Sequence, residues 1–453
     1  MAAATVALAL ALAHPRTGSA TVPTPPNVLL IITDDQRDGA ESMSVMPETR
    51  RLFADGGTEF SRAYATTPMC CPSRASIFSG RYLHNHGVLD NGSDLARPDL
   101  TWQRHLDDAG YETALYGKYL NSWLDRRPRA SVPYFDDSWQ GYDEHHGKNP
   151  LESERFLVER ASAFLERTER EDDSRPWAMV LASRSPHLPY RYPDRFRRVV
   201  GRLVPRPSLR DDLSDKPRFV RHTAHRLRRR IRPGGIGRKA QRVYTGQLRE
   251  LMAVDEMTGL VFQQLSALSE DERTLAIFVS DNGFFWGEHS LPGKKFPYRE
   301  AVEVPMYLRW PGRLAAGEVD ERLVANIDLA PTIMDAAGVD PRYQPDGRSL
   351  LDGSWARRRL LLEGPNRLWS SEVTARRQYV RWADGSREYY DLSRDPFQQH
   401  NALASSADVV GGRHARPRRR RALTVPRSVA RRRARHMQAW VHRAARCAGR
   451  NCP

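Results

Sequence analysis

Lysine is scarce in this 453-residue sequence: six of its 71 basic residues are Lys and the other 65 are Arg. Replacement of Lys by Arg throughout is what a GC-rich coding sequence produces, and that is the expected main cause. The competing explanation is attraction of a polyanion, glycan or nucleic acid, to a chain of net charge +16, with basic clusters at 195–242 and 413–446. No recognised nucleic-acid module or aromatic stacking motif accompanies the arginines, so no specific nucleic-acid partner is expected. Long apolar runs are lacking beyond the N-terminus, which excludes a bilayer-spanning helix there. No repeat at a fixed period is present, which excludes a solenoid or propeller. Cysteine is sparse. Cys447 and Cys452 stand five apart near the C-terminus, suited to a local disulfide in a secreted chain and otherwise two free thiols on a frayed tail. Cys70 and Cys71 are adjacent and raise a different question.

What remains is ordinary globular material. A hydrophobic content of 40% suffices for a large core, expected as one large domain and a smaller one. Met1 to Ala13 is apolar and alanine-rich, and Thr17-Gly18-Ser19-Ala20 follows. This is the pattern of a signal peptide over residues 1–20, although no Lys or Arg precedes the apolar run. The expected location is secreted or cell-envelope, extracellular or periplasmic. The runs Val28–Ile32, Trp177–Leu181 and Leu275–Val279 are continuously apolar, as strands buried on both faces of a parallel sheet require. Helical patterns at Glu154–Leu165 and Leu248–Leu265 alternate with them, which predicts an α/β fold. Residues 200–240, rich in Arg, Pro and Gly, are expected to form a long surface insertion. After Gly338, aromatic segments Gln378–Trp382 and Arg387–Leu392 predict an antiparallel hairpin around Ala383-Asp384-Gly385. Gly411–Arg421 is expected as a basic loop and Arg427–Arg446 as a terminal basic helix.

Two predicted strands end alike, one in Asp34-Asp35 and the other in Asp281-Asn282. Ligand sites of open α/β sheets lie at the carboxyl ends of strands. Three carboxylates and an amide make a hard-oxygen set suited to calcium, although either pair alone is more often a loop start or helix cap. The third element is Cys70-Cys71-Pro72-Ser73-Arg74, continuing through Ala75-Ser76-Ile77-Phe78-Ser79 to Gly80-Arg81. This resembles the sulfatase signature Cys-x-Pro-Ser-Arg with its small-residue helix and terminal Gly-Arg. The resemblance extends over most of the chain: Asn27–Gln36, Gly117-Lys118-Tyr119-Leu120-Asn121, Ser185-Pro186-His187-Leu188-Pro189, Ser280-Asp281-Asn282-Gly283, Asn326–Asp335 and Asp346–Leu350. Cys70-Cys71, Tyr82-Leu83-His84-Asn85-His86 and the Gly-Lys segment resemble the N-acetylglucosamine-6-sulfatase branch.

The resemblance implies an alkaline-phosphatase-like α/β fold with a central mixed, mostly parallel sheet flanked by helices. It places a catalytic domain at 26–338 and a smaller antiparallel-sheet domain with a basic tail at 339–453. It implies a metal set of Asp34, Asp35, Cys70, Asp281 and Asn282 around Ca2+, and conversion of Cys70 to formylglycine (3-oxoalanine) by a formylglycine-generating enzyme. In that chemistry one hydroxyl of the aldehyde hydrate, helped by a carboxylate such as Asp281, attacks the ester sulfur, and the other later expels sulfate. Arg74 would hold the formylglycine hydroxyl or the loop. Lys118, His187 and Lys294 would contact sulfate, with His187 the general acid, and Asn121 would line the substrate pocket. Lys294 is preferred to Lys295 because it lies four before Tyr298. Two positions depart from the pattern: Leu120 stands where many sulfatases have His, and Arg299 stands where Glu is common, with Glu300 next. The expected substrate is a sulfate monoester on a small molecule or glycan, such as 6-sulfated N-acetylglucosamine. The alternatives are a phosphodiesterase or phosphonate hydrolase, for which Glu288 and His289 would build a second metal site, and a non-catalytic polyanion-binding protein.

Overall fold

A computed structural model of the chain describes residues 25–121, 123, 131–139, 153–172, 174–199, 201–230, 235–404 and 425–452. The leader at 1–20 and the basic loop at 411–421 lie outside these residues. Nine strands come first: β1 (Asn27–Thr33), β2 (Thr58–Phe60), β3 (Ala63–Tyr64), β4 (Glu112–Gly117), β5 (Asp137–Trp139), β6 (Trp177–Ala182), β7 (Thr274–Ser280), β8 (Met306–Arg309) and β9 (Glu318–Asp320). Apart from β3, which pairs with β10 (Val324–Ala325), they form one sheet in the order β5-β4-β6-β1-β7-β8-β2-β9. The run from β5 to β7 is parallel and β8 is antiparallel to both neighbours, so the sheet is mixed and mostly parallel.

Every residue of β1, β6 and β7 is buried, which is why they read as unbroken apolar runs. Alternate residues serve opposite faces. Leu30, Ile32, Ile277 and Val279 join one apolar cluster, and Leu29, Ile31, Ala276 and Phe278 join another. Helices cover both faces, among them α1 (Cys70–Ser79), α2 (Ser153–Asp172), α3 (Arg218–Arg230), α4 (Gly235–Ala267) and α5 (Leu329–Ala336). Two are longer than the predicted Glu154–Leu165 and Leu248–Leu265. In α2, polar helix formers such as Glu and Arg carry the helix beyond its apolar stripe, whereas α4 starts earlier with Ala240, Val243, Gly246 and Gln247 buried ahead of Leu248. No helix among the described residues is long and apolar enough to cross a membrane.

A second sheet follows, antiparallel in the order β11 (Leu360–Glu363), β12 (Trp369–Thr374), β13 (Arg377–Trp382), β14 (Arg387–Asp391). The hairpin lies where it was expected. The terminal helix α6 (Arg427–Ala444) packs on β12 and β13, and Cys447 and Cys452 form a disulfide. This sheet is joined to the rest by a shared core: Leu361, Tyr379, Trp382 and Tyr390 belong to one cluster with Tyr64, Tyr82, Phe296 and Tyr298.

Of residues 200–240, the described ones (201–230 and 235–240) are mostly exposed or half-buried, and they carry structure of their own: two short 3-10 turns (Pro207–Arg210 and Leu213–Asp215), helix α3 and the start of α4. Asp211, Lys216, Val220 and Ala224 are buried among them. Lys216 Nζ donates to Tyr390 Oη at 3.0 Å and to the Gln398 carbonyl, so the segment packs against the second sheet. Its arginines dominate the composition and conceal the few side chains that face inward.

Candidate active site

The register of the parallel strands builds the site. Thr33 of β1 pairs with Ser280 of β7, so Asp34-Asp35 and Asp281-Asn282 leave the sheet side by side at its carboxyl edge. The backbone N–H of Asp35 donates to Asp281 Oδ1 at 3.2 Å, and Asn282 Nδ2 donates to Asp35 Oδ1 at 2.7 Å. Carboxylate oxygens of Asp34, Asp35 and Asp281 lie within 4.8 Å of one another, and all three residues are buried. Asp35 Oδ2 and Asn282 Oδ1 are buried without a hydrogen bond. Clustered carboxylates with unpaired inward oxygens are costly unless a cation faces them. Oxygen donors alone fit a hard divalent ion such as calcium. The loop after β7 holds this shape because a Cβ on Gly283 would lie 2.3 Å from the Glu300 carbonyl, leaving room for glycine alone.

Helix α1 delivers Cys70. Pro72 sits in its first turn, where a missing N–H is tolerated, and the left-handed Gly80 caps its end on Ser76 O. Cys70 Sγ is 3.4 Å from Asp34 Oδ1, at the rim of the carboxylates. Arg74, one turn on, donates Nε to Asp281 Oδ2 at 2.8 Å and a further N–H to the Lys118 carbonyl. Lys118 follows Gly117, where a Cβ would lie 2.1 Å from the Ala182 carbonyl of the neighbouring strand. Glycine therefore brings the chain close enough for Lys118 to reach Asp34 with its ammonium group. Lys294 contacts Asp35, and its Nζ lies 2.8 Å from Cys70 Sγ. Lys295 is exposed and faces away.

Charge sets the protonation of the site. Burial works against ionisation of Asp34, but Lys118, His187, Lys294 and Arg74 outweigh it and hold its carboxyl well below the usual range. Asp281 moves the other way, raised by burial and by Asp34. Burial and the same Asp34 push the Cys70 thiol up to about 12. An unmodified Cys70 therefore stays a thiol at neutral pH and is a poor nucleophile. His187 is partly exposed, with Nε2 3.8 Å from Asp35 Oδ2. Its Nδ1 is 2.6 Å from the Leu188 carbonyl, which can only accept, so Nδ1 carries a proton and Nε2 is the nitrogen facing Asp35. Asn121 is held against Cys71: its backbone N–H donates to Cys71 Sγ at 3.1 Å, and its buried Oδ1 has no hydrogen-bond partner. Leu120 is buried in the core and offers no polar group.

Nine of the ten residues singled out in the sequence thus lie together at one rim, and the tenth, Asn121, is held against Cys71, the chain neighbour of Cys70. Glu288 and His289 do not build a second metal site. Glu288 pairs with Arg37 at 2.7 Å, and His289 Nδ1 with Asp211 Oδ2 at 2.7 Å. Both carboxylates are already matched to a partner. Three supporting residues, Gln247, Trp286 and Arg37, escaped the sequence reading. Gln247 donates Nε2 to the carbonyls of Asp35 and Pro186 and accepts from Trp286 Nε1, tying the Asp34-Asp35 loop to the His187 loop. Arg37 stacks 3.5 Å over Trp286 while paired with Glu288. The signal for Gln247 was a polar residue interrupting the apolar stripe of α4. Arg37 carried none beyond following the Asp pair.

The two sheets, their strand order and the position of the site define an alkaline-phosphatase-like α/β protein. The family model described as Sulfatase matches residues 26–339, and the chain belongs to the sulfatase family. It is 30% identical over 393 residues to an extracellular sulfatase of Drosophila melanogaster, covering 82% of this chain and 35% of that protein. It is 28% identical over 380 residues to the N-acetylglucosamine-6-sulfatase of Homo sapiens, covering 77% of this chain and 66% of the relative. The chain therefore spans from about a third to two thirds of the length of these relatives. Among solved structures, a protein in complex with its substrate D-glucosamine-2-N,6-O-disulfate superposes with a TM-score of 0.72 at 21% identity, covering 92% of this chain and 98% of that one.

Proposed function

We propose that this chain is a sulfuric ester hydrolase acting on a sulfated sugar such as 6-sulfated N-acetylglucosamine. Cys70 is matured to formylglycine by a formylglycine-generating enzyme, and a calcium ion is held by Asp34, Asp35, Asp281 and Asn282 beside Cys70. The observation that carries the proposal is the position of Cys70 Sγ, 2.8 Å from Lys294 Nζ and 3.4 Å from Asp34 Oδ1, at the edge of an oxygen cluster with unpaired donors.

The matured residue would supply two hydroxyls on one carbon, one to accept the sulfuryl group and one to release it, and the calcium would supply positive charge for the sulfate oxygens. The chain's own residues do the rest. Lys118 and Lys294 bring two ammonium groups to the same point, where charge gathers as the ester bond breaks. Arg74 fixes Asp281 and, through the Lys118 carbonyl, the start of the loop that carries Lys118. His187, as the imidazolium, donates from Nε2 to the leaving alcohol. Asn121 offers an unsatisfied amide oxygen to a sugar hydroxyl. The apolar leader and the extracellular Drosophila relative support secretion of the chain.

Mass spectrometry of the tryptic peptide spanning Cys70, from native-host protein, tests the nucleophile. A loss of about 18 Da against the thiol is expected, together with turnover of 6-sulfated N-acetylglucosamine. An unmodified thiol in secreted protein would sink the proposal. Faster turnover of a phosphonate monoester than of any sulfate ester would reassign the substrate.

A further inference from the structure

Arginine in this chain is segregated, which codon usage does not explain. Residues 195–242 carry 17 Lys and Arg against three Asp and Glu, residues 405–452 carry 14 against one, and the other 357 residues carry 40 against 51. Coding bias changes which cation is used but not the local balance of acid and base. Outside two segments the protein is net acidic, so coding bias, which accounts for Arg in place of Lys, does not account for where the positive excess lies.

One of the two segments reaches the active-site loop. Helix α3 contains six Arg, two His and no acidic residue. Val220 and Ala224 face inward, and Arg218, His222, His225, Arg226, Arg229 and Arg230 are exposed. Among the described residues, none of the arginines at 218, 226, 229 and 230 makes an ion pair. The helix is fastened to the loop that carries Lys294: Arg228 Nε donates to Ser290 Oγ at 2.9 Å. At its start, Phe219 is 38% exposed, an unusual setting for a ring that also packs 6.0 Å from Phe296 and 5.8 Å from Trp382. Phe296 lies two residues beyond Lys294, which touches Cys70. A short chain of contacts therefore leads from the nucleophile to an exposed aromatic ring and onward along a stripe of unpaired cations.

We propose that the exposed face of α3, from Phe219 along Arg226, Arg229 and Arg230, is an exosite for an extended sulfated polysaccharide whose terminal or internal ester sits at Cys70. This rests on the sulfatase reading above and deepens it, making the substrate a polymer. Repeated sulfates match a row of guanidinium groups, which bind such anions with two parallel N–H donors. The ring at Phe219 presents an apolar face to the C–H side of a sugar. A single exposed ring does not make a stacking platform for nucleic-acid bases. Nor does it make the broad apolar face with which a helix enters a membrane surface.

The test uses the full chain, with heparin hexasaccharide as the probe and 4-methylumbelliferyl sulfate as the small ester. The triple variant Arg226→Gln/Arg229→Gln/Arg230→Gln should weaken hexasaccharide binding by about tenfold or more at low salt and flatten the slope of log Kd against log salt, as expected when two or three ion contacts are lost. Turnover of the small ester should stay within about twofold, since none of the three reaches the site. Phe219→Ala should weaken hexasaccharide binding without changing that slope. Thermal unfolding checks that each variant is folded, and Arg229→Gln alone provides the milder variant. Unchanged hexasaccharide affinity in the triple variant overturns the proposal. So does binding of duplex DNA or anionic vesicles with equal affinity and equal sensitivity to the variants, which would mark an unselective anionic surface. If no sulfate ester is turned over, the sulfatase reading fails, and the hexasaccharide affinities still decide the exosite.

Discussion

Lys294 Nζ lies 2.8 Å from Cys70 Sγ and also contacts Asp35, so one buried ammonium group joins Cys70 to the carboxylate cluster. Its neighbour Lys295 is exposed. Lys294→Ala should lower kcat/KM for a sulfate ester by about 100- to 1,000-fold, the usual scale for removing a preorganised charge at the reacting centre. Lys295→Ala should change it by about twofold or less. Steady-state kinetics on 4-methylumbelliferyl sulfate separates the two, and equal losses would show that Lys294 is not special.

If calcium occupies the carboxylate cluster as proposed, chelating it should both inactivate and destabilise the protein. Asp34, Asp35 and Asp281 crowd their oxygens within 4.8 Å, with Lys118 and Lys294 as partial compensation. Dialysis against EGTA should abolish ester hydrolysis, and calcium should restore it. Saturating calcium at about 100 times its Kd should add about 2.7 kcal/mol to unfolding stability. Full activity in the chelated protein, with no calcium-dependent rise in Tm, would remove the metal from the site.

Glu372 offers a pH test far from the chemistry. Burial raises its carboxyl to about 7, with Arg359 the opposing influence at 3.6 Å, and its Oε2 has no hydrogen-bond partner. The folded state therefore binds this proton more tightly than the unfolded chain does. The resulting stability is fully present below the ordinary Glu range and is lost as pH rises through about 7. Glu372→Gln keeps the neutral shape at every pH. It should leave Tm unchanged at pH 5 and raise stability by about 1–2 kcal/mol at pH 8, after allowance for partial solvent screening. Equal effects at both pH values would mean that Glu372 does not titrate in this range.

The parts of the site that could be read from sequence are those tied to strand ends and one contiguous motif. β1 and β7 are buried on both faces, so their apolar runs and the oxygen pairs following them stand out, and the pairing of Thr33 with Ser280 then makes the two pairs neighbours. Cys70 and Arg74 were legible because one helical turn holds both. Gln247 was not, because its partners Asp35, Pro186 and Trp286 are remote in sequence and a single polar residue in an amphipathic helix carries no address. The structure within 200–240 was hidden for a related reason. Composition averages over a segment, whereas Asp211 and Lys216 are buried against His289 and Tyr390, partners remote in sequence.

That packing makes the second sheet part of the fold's stability. Lys216 is fully buried; besides Tyr390 and the Gln398 carbonyl, it has Asp211 Oδ2 at 3.8 Å and Asp215 Oδ1 at 3.9 Å. Burial raises the carboxyl of Glu388, and Lys216 is the first influence opposing that rise. Lys216→Ala removes the central cation and leaves buried carboxylates facing one another, which should cost about 3–5 kcal/mol in urea unfolding. Lys216→Met with Glu388→Gln removes charge of both signs while keeping volume, and it should recover part of that loss. A chain ending at Gly338 lacks every strand of the second sheet yet would expose Tyr64, Phe296 and Tyr298, which share its core, so it should be insoluble or molten. A soluble, cooperatively unfolding 1–338 chain, or a Lys216→Ala variant within about 1 kcal/mol of the parent, would show that the catalytic sheet stands alone.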